Sequence, residues 1–290
     1  MRRVPRGLRT ALLLAPALAV VVVLFGGGLV QALAQSLGNQ PLLPPRPLSL
    51  VAYRELWADS AARASIGITL RVAVLSTLVS AVLGTAAALL VRALGRARPA
   101  FSALLQVTLP LPHAVAALAM LLLLSPSGTV SRAAAAPGLV GEPAAFPAFT
   151  QDAFGWGIVA SYVWKEAPFV AVVVLAVLSA GVADLEDAAR ALGAGAWQRL
   201  RHVLLPAVAP AVAAASVLVL AFTVGSYEVP FLLGRAYPAT LPVVAYQRFR
   251  DPDLAARPAA MAIAVLTAVL VGACAVAYLA LAERLRGTPR

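Results

Sequence analysis

Six long apolar runs separated by shorter polar stretches set the plan of this chain. They fall at about 10–34, 65–91, 101–124, 155–181, 207–232 and 258–281. A helix needs about 20 apolar residues to cross a bilayer, so each run is expected to be a transmembrane helix. The stretches between them alternate in character. Residues 35–64, 125–153 and 233–257 are long, polar and rich in proline and alanine, with Glu55, Asp59, Glu142, Asp152, Asp251 and Asp253 among them, and read as external loops. The first carries Pro41, Pro44, Pro45 and Pro47, with a short helix expected around 53–62. Residues 92–98 are basic and 183–206 polar, with Arg190, Arg199 and Arg201, and both read as cytoplasmic. The resulting organisation is a tail and first span over 1–34, an external loop over 35–64, a five-helix core over 65–282 and a tail over 283–290. No internal repeat and no separate soluble domain is visible.

The runs are not uniformly apolar. Pro110 and Pro112 interrupt the third, where missing backbone donors are expected to kink the helix. Lys165, Glu166 and Pro168 lie near the middle of the fourth, and Glu228 and Pro230 near the end of the fifth. Arg71 stands in the second and His113 in the third. Ionisable groups in the hydrocarbon region are functional candidates by default. Lys165 and Glu166 are adjacent, so on a helix they point about 100° apart and each needs a partner on another helix. Arg71 and Glu228 fall at similar depth and are expected to pair. His113, Lys165, Glu166 and Glu228 are the candidates for lining a solute path.

Composition agrees with the pattern. Of 290 residues 61% are hydrophobic and 12% charged, against about 25% charged in soluble domains. Mean hydropathy is +0.89. The fold class expected is all-α, a polytopic membrane bundle of six helices. The net charge of +11 is almost all arginine, Lys165 being the only lysine. These arginines flank the apolar runs rather than clustering on a soluble face, which argues against nucleic acid and for membrane orientation. Their bias is clearest at 92–98 and in both tails, placing both termini in the cytoplasm. Ala32, Leu33 and Ala34 resemble a signal-peptide cleavage site, but a signal core is about 7–15 residues, so the longer first run is expected to be retained.

Several chemistries are excluded. Cys274 is the only cysteine, and His113 and His202 are the only histidines. No thiolate or zinc site and no cofactor-binding motif follows from such a set. A phosphate-binding loop needs Gly-Lys-Ser/Thr, whereas Lys165 precedes Glu166. If ATP drives this protein, another chain hydrolyses it. The spans contain no aspartate and no nucleophile–base pair, so an intramembrane enzyme is not expected. An ion-coupled secondary transporter, the alternative class, usually shows repeated halves with matching broken helices, and none is seen.

The insert at 183–206 is the most informative stretch. Asp184, Glu186 and Asp187 open a short helix with the acidic start that a helix N-terminus favours. Gly193 and Gly195 permit a turn. A second short helix follows over 196–204, with Trp197, Leu200 and Val203 spaced for one face, and Pro206 opens the next span.

This insert resembles the cytoplasmic EAA loop of binding-protein-dependent ABC importer permeases, the MetI-like transmembrane family. Asp187-Ala188-Ala189, Gly193 and Val203-Leu204-Leu205-Pro206 match that family's Glu-Ala-Ala, Gly and Ile-x-Leu-Pro at the same spacings. The resemblance covers about 65–281. It implies that Asp187, Ala188, Ala189, Gly193, Leu205 and Pro206 couple the chain to a separate ATP-hydrolysing subunit. Asp187 replaces the usual Glu, keeping the charge with a shorter reach. The resemblance also implies a second permease subunit, identical or related, an external solute-binding protein, surrounding membrane lipid and a multi-pass location in the bacterial inner membrane. The segment from Gly225 to Gly234 is similar to the polyamine branch, whose relatives move ferric iron, thiamine or phosphonates. A polyamine is the substrate this implies, with those solutes or a sugar as alternatives.

Overall fold

The computed structural model describes residues 6–41, 47–179 and 182–286. The far N-terminal arginines Arg2 and Arg3, the loop prolines Pro44 and Pro45, the last residues of the expected fourth span (180–181) and Arg290 lie outside them. Among the described residues the chain is helical and without strands. In order the helices are α1 (Arg6–Val21), α2 (Gly27–Ser36), α3 (Val51–Ala58), α4 (Ser60–Ala93), α5 (Arg98–Val107), α6 (His113–Leu124), α7 (Thr129–Ala135), α8 (Trp156–Ser179), α9 (Val182–Ala191), α10 (Ala196–Arg199), α11 (Leu205–Gly225), α12 (Glu228–Leu233), α13 (Leu241–Phe249) and α14 (Arg257–Arg286). A wider π-helical turn, Val22–Gly26, makes α1 and α2 continuous, and another, Leu200–Leu204, joins α10 to α11.

Six helical stretches among the described residues are long and apolar enough to cross a membrane: Leu12–Ser36, Ser60–Ala93, His113–Ala135, Trp156–Ser179, Ala196–Gly225 and Leu254–Ala280. Their number matches the expectation, and two of them are built differently. The third span is broken rather than kinked: α5 ends at Val107 and the crossing helix starts at His113. Two prolines two residues apart remove alternate backbone donors, so a helix cannot continue through them. The fifth span stops at Gly225 instead of running on to 232, and α12 begins at Glu228. The break puts Pro230 in the first turn of α12, where a missing donor costs little.

The polar stretches hold more structure than expected. Asp59 caps α4, its carboxylate accepting the Ala61 N–H at 2.9 Å, so that helix starts five residues before the apolar run does. The first and third long loops contain α3 and α13, and α7 extends the third spanning stretch into the second.

The chain divides into two compact units, residues 1–63 with 244–266 and residues 64–243 with 267–290. The first is pinned by polar links. Arg248 pairs with Asp59 at 2.9 Å, Ser36 and Tyr53 share a hydroxyl hydrogen bond at 2.7 Å, and Gln40 donates to the Leu254 carbonyl at 3.1 Å. The most apolar stretch of the Leu12–Ser36 span is 0% buried, so its side chains face outward.

The second unit is organised on α8. Its lower half packs Val170, Ala171, Val174 and Leu178 against Ala88 and Val91 of α4 and Val208, Ala215 and Val219 of α11. Its upper half packs Ile158, Val159 and Tyr162 against Ile68 and Val72 of α4, Ala117 of α6, and Val229 and Leu233 of α12. In lipid such helices associate through close packing rather than by escaping water, which favours small residues at contacts. Gly84 is the tightest example: a Cβ there would lie 2.5 Å from the Ala167 carbonyl oxygen and 2.7 Å from Val170 Cβ.

Candidate functional site

Two polar regions stand out in this apolar bundle, the loop from Val182 to Pro206 and the break in the third span.

The loop is built on a helix that ends in a tight glycine turn. The Ala194 N–H donates to the Ala189 carbonyl and the Gly193 N–H to the Arg190 carbonyl, both at 3.0 Å. This paired closure requires a left-handed residue, and Gly193 supplies it with φ +83°. Gly195 does not use its freedom. Its φ is −67°, and it opens α10 while its N–H donates to Gln198 Oε1 at 2.8 Å.

Glu186 fixes the loop, and sequence reasoning saw it only as one acid in a helix start. Its carboxylate pairs with Arg92 at the end of α4, with Arg199 Nε at 3.2 Å and with Arg190 at 3.7 Å. The Glu186 side chain is 15% exposed, whereas the adjacent Asp187 is 68% exposed and pairs only with Arg190, at 2.9 Å. The signal in the sequence was the approach of Arg92 and Arg199, which no spacing rule gives. Ala188, Gly193, Leu205 and Pro206 are exposed and Ala189 half-buried. The loop therefore keeps Asp187, Ala188, Gly193, Leu205 and Pro206 outward, while Glu186, Val182 and, from the matched motif itself, Leu204 anchor it. Leu185, Leu192 and Trp197 also face outward, Leu192 being 88% exposed. Of Trp197, Leu200 and Val203, expected on one face, Trp197 is exposed while Leu200 and Val203 are half-buried. α10 ends at Arg199, and the wider π turn that follows changes the angular spacing.

The break in the third span lies against α8 and gathers three of the four intramembrane candidates. Lys165 Nζ donates to the carbonyls of Thr108 and Leu109, both at 2.8 Å. Glu166 Oε1 meets His113 Nε2 at 2.8 Å. Adjacent on α8, the two charges diverge and take separate partners, as the helical angle requires. The His113 ring lies 4.2 Å from the Phe222 ring of α11, and the buried Tyr162 meets the same phenyl edge-on. Lys165 and Glu166 are 5% and 8% exposed. Phe222 and the two carbonyls were missed. Pro112 was the available signal for Thr108, whose i+4 donor it removes; nothing local pointed to the Leu109 carbonyl.

Glu228 stands apart from this cluster's hydrogen bonds, exposed in the first turn of α12. The expected Arg71–Glu228 pair does not form. Arg71 donates to the Ala153 carbonyl at 2.9 Å and stacks over the Phe154 ring at 4.6 Å. The loop before α8 reaches Arg71 first because the Asp152 carboxylate tightens it, accepting the N–H groups of Phe154 and Gly155.

Six spans, a central packed helix and an exposed helical loop between the fourth and fifth spans describe a transporter subunit better than an enzyme. The model of the binding-protein-dependent transport system inner membrane component family matches residues 80–287. The chain belongs to that family. The permease is 32% identical over 203 residues to a probable molybdenum ABC transporter permease of Haloferax volcanii, which covers 69% of each chain. It is 31% identical over 217 residues to the inner membrane ABC transporter permease YnjC of Escherichia coli. That match covers 71% of the permease but 39% of the Escherichia coli protein, so this chain spans about two fifths of that relative. A crystal structure of a bacterial alginate ABC transporter, bound to a periplasmic protein carrying alginate pentasaccharide, contains a chain that superposes with a TM-score of 0.77. That match covers 98% of the permease and 96% of the other chain at 21% identity, a likeness of fold. The family is one of transport proteins of the inner membrane, multi-pass and not enzymatic.

Proposed function

We propose that the permease is one transmembrane subunit of an ATP-driven, binding-protein-dependent importer, and that the loop from Val182 to Pro206 is its coupling site. The observation that carries this is the loop's division of labour. Glu186 ties it to Arg92 and Arg199, while Asp187, Ala188 and Leu192 face outward. Exposed apolar side chains beside charged ones, on a rigid turn, suit docking to another protein. ATP binding by partner subunits would draw two such loops together and open the pathway to a loaded external binding protein, and hydrolysis would reset it. The permease itself makes and breaks no covalent bond. A second permease subunit, identical or related, completes the pathway, with both termini of this chain on the cytoplasmic side. His113, Lys165, Glu166 and Glu228 are assigned to the solute path.

The test is capture of the ATPase by the tagged permease. A Leu192→Arg/Asp187→Arg variant is expected to lose capture and uptake while keeping wild-type detergent stability. Undiminished capture would remove the loop from the coupling role.

On substrate, the segment from Gly225 to Gly234 favours a polyamine. A second reading, an oxyanion, is favoured by relatives named for molybdenum transport in Haloferax volcanii and Azotobacter vinelandii. Thermal shift of the associated binding protein against polyamines, molybdate, sulfate, sugars and ferric ion separates them.

A further inference from the structure

The break in the third span creates two helix ends inside the membrane, and both need partners. Without water, unpaired backbone groups in the hydrocarbon region are tolerated only where protein satisfies them. At the carbonyl end of α5, Pro112 removes the i+4 donor of Thr108, whose carbonyl keeps only a long turn bond from the Leu111 N–H at 3.3 Å, and the turn carries the His113 N–H away from Leu109. Lys165 Nζ supplies donors to both carbonyls at 2.8 Å. Its positive charge therefore sits where the peptide dipoles of α5 concentrate negative charge. At the other side of the break α6 begins with His113, preceded by Pro112 with no side-chain cap. Its first N–H groups lack acceptors within the helix, and its dipoles concentrate positive charge there. Glu166 reaches this end through the His113 ring at 2.8 Å. One dipeptide on α8 thus faces both ends of the break, each charge toward the end of opposite sign. Lys165 and Glu166 are both buried residues, so water screens their charges little.

We propose that Lys165 and Glu166 form an electrostatic clasp, a pair of positioning residues that holds the broken third span, with His113 against Phe222, in the arrangement transport requires. The inference rests on the transport reading above and adds what these residues do within it. It also explains the order of the charges: lysine first and glutamate second, matched to α5 ending before α6 begins.

The order of the charges gives the decisive experiment. The importer, assembled with its ATPase and binding protein in proteoliposomes, is compared as wild type, Lys165→Met, Lys165→Arg and the exchange Lys165→Glu/Glu166→Lys. The clasp predicts that Lys165→Met lowers maximal uptake by about tenfold or more with little change in the half-saturating concentration of loaded binding protein. Lys165→Arg restores most of the loss, because it returns charge and donors. The exchange is worse than Lys165→Met, since each charge then faces the helix end of its own sign. An exchange variant that transports like wild type would overturn the clasp, because only a mutual ion pair survives reversal.

Backbone amide exchange in the detergent-solubilised permease gives a readout independent of transport. Exchange at Leu109, Leu111 and His113–Val115 is expected to rise roughly tenfold in Lys165→Met while the amides of α8 stay protected. If Lys165→Met does not fold, Lys165→Gln keeps a neutral donor and is expected to raise exchange at the same amides by a smaller factor. Wild-type exchange there in every variant would overturn the clasp while leaving the importer reading standing. Failure of the wild-type chain to capture an ATPase would instead sink the importer reading.

Discussion

Glu186–Asp187 in the loop and Lys165–Glu166 in the fourth span are both adjacent charged pairs split by the turn of a helix. Solvent decides what happens next. In the loop one carboxylate is drawn inward by Arg92 and Arg199, and its neighbour is left 68% exposed with a single arginine three residues on. Water solvates the outward charge, so the pair can serve anchoring and display at once. In the span no charge can be left over. Lys165 takes two carbonyls and Glu166 takes a histidine, and both are buried. An unpartnered ionised group at that depth costs several kcal/mol. The same local geometry gives an exposed contact surface in one place and a closed polar cluster in the other.

Four substitutions sharpen this contrast, and each is read by unfolding in mixed detergent. Lys165→Met should cost the most, about 2–4 kcal/mol, because the Leu109 carbonyl loses the donor Lys165 gives it and the Thr108 carbonyl keeps only the long Leu111 N–H bond. A loss below about 1 kcal/mol would mean that the break is satisfied from elsewhere. Glu186→Ala should cost about 2 kcal/mol by leaving Arg92 and Arg199 without their shared carboxylate. Proteolysis within 182–206 should accelerate in parallel, and an unchanged cleavage rate would contradict the anchoring role. Gly193→Ala should cost about 1 kcal/mol, the strain of a β-carbon at φ +83°. Its effect should be confined to amide exchange at the end of α9. Asp187→Ala should change stability by less than about 0.5 kcal/mol, as exposed pairs contribute little. Its effect should appear in ATPase capture instead, and a stability loss matching that of Glu186→Ala would erase the distinction between the two acids.

The spans were legible because their signal is long and local: about 20 apolar residues need no knowledge of partners. The loop was legible because Gly193 and Pro206 impose backbone geometry wherever they occur. Three things were not legible, for different reasons. The break at Thr108–Pro112 was read as a kink, since one proline bends a helix while two at alternate positions end it. The start of α4 at Ser60 was hidden because Asp59, a cap residue, lies outside the apolar run. The partners of Arg71, Glu186 and Lys165 were out of reach because they come from residues 82, 94 and 57 positions away. Depth matching suggested Glu228 for Arg71, but depth fixes only one coordinate of a side chain, and the turn at Asp152 brought the Ala153 carbonyl within reach.

The central claim is that the loop from Val182 to Pro206 holds an ATPase subunit. Its most direct test is cross-linking between Leu192→Cys and the co-expressed ATPase, in a Cys274→Ala background of the full chain. The account predicts a single cross-linked species that forms in the membrane and disappears when Asp187→Arg is added. A chain that yields no such species, while Trp156→Cys on the other side of the bundle cross-links to the same subunit, would contradict it.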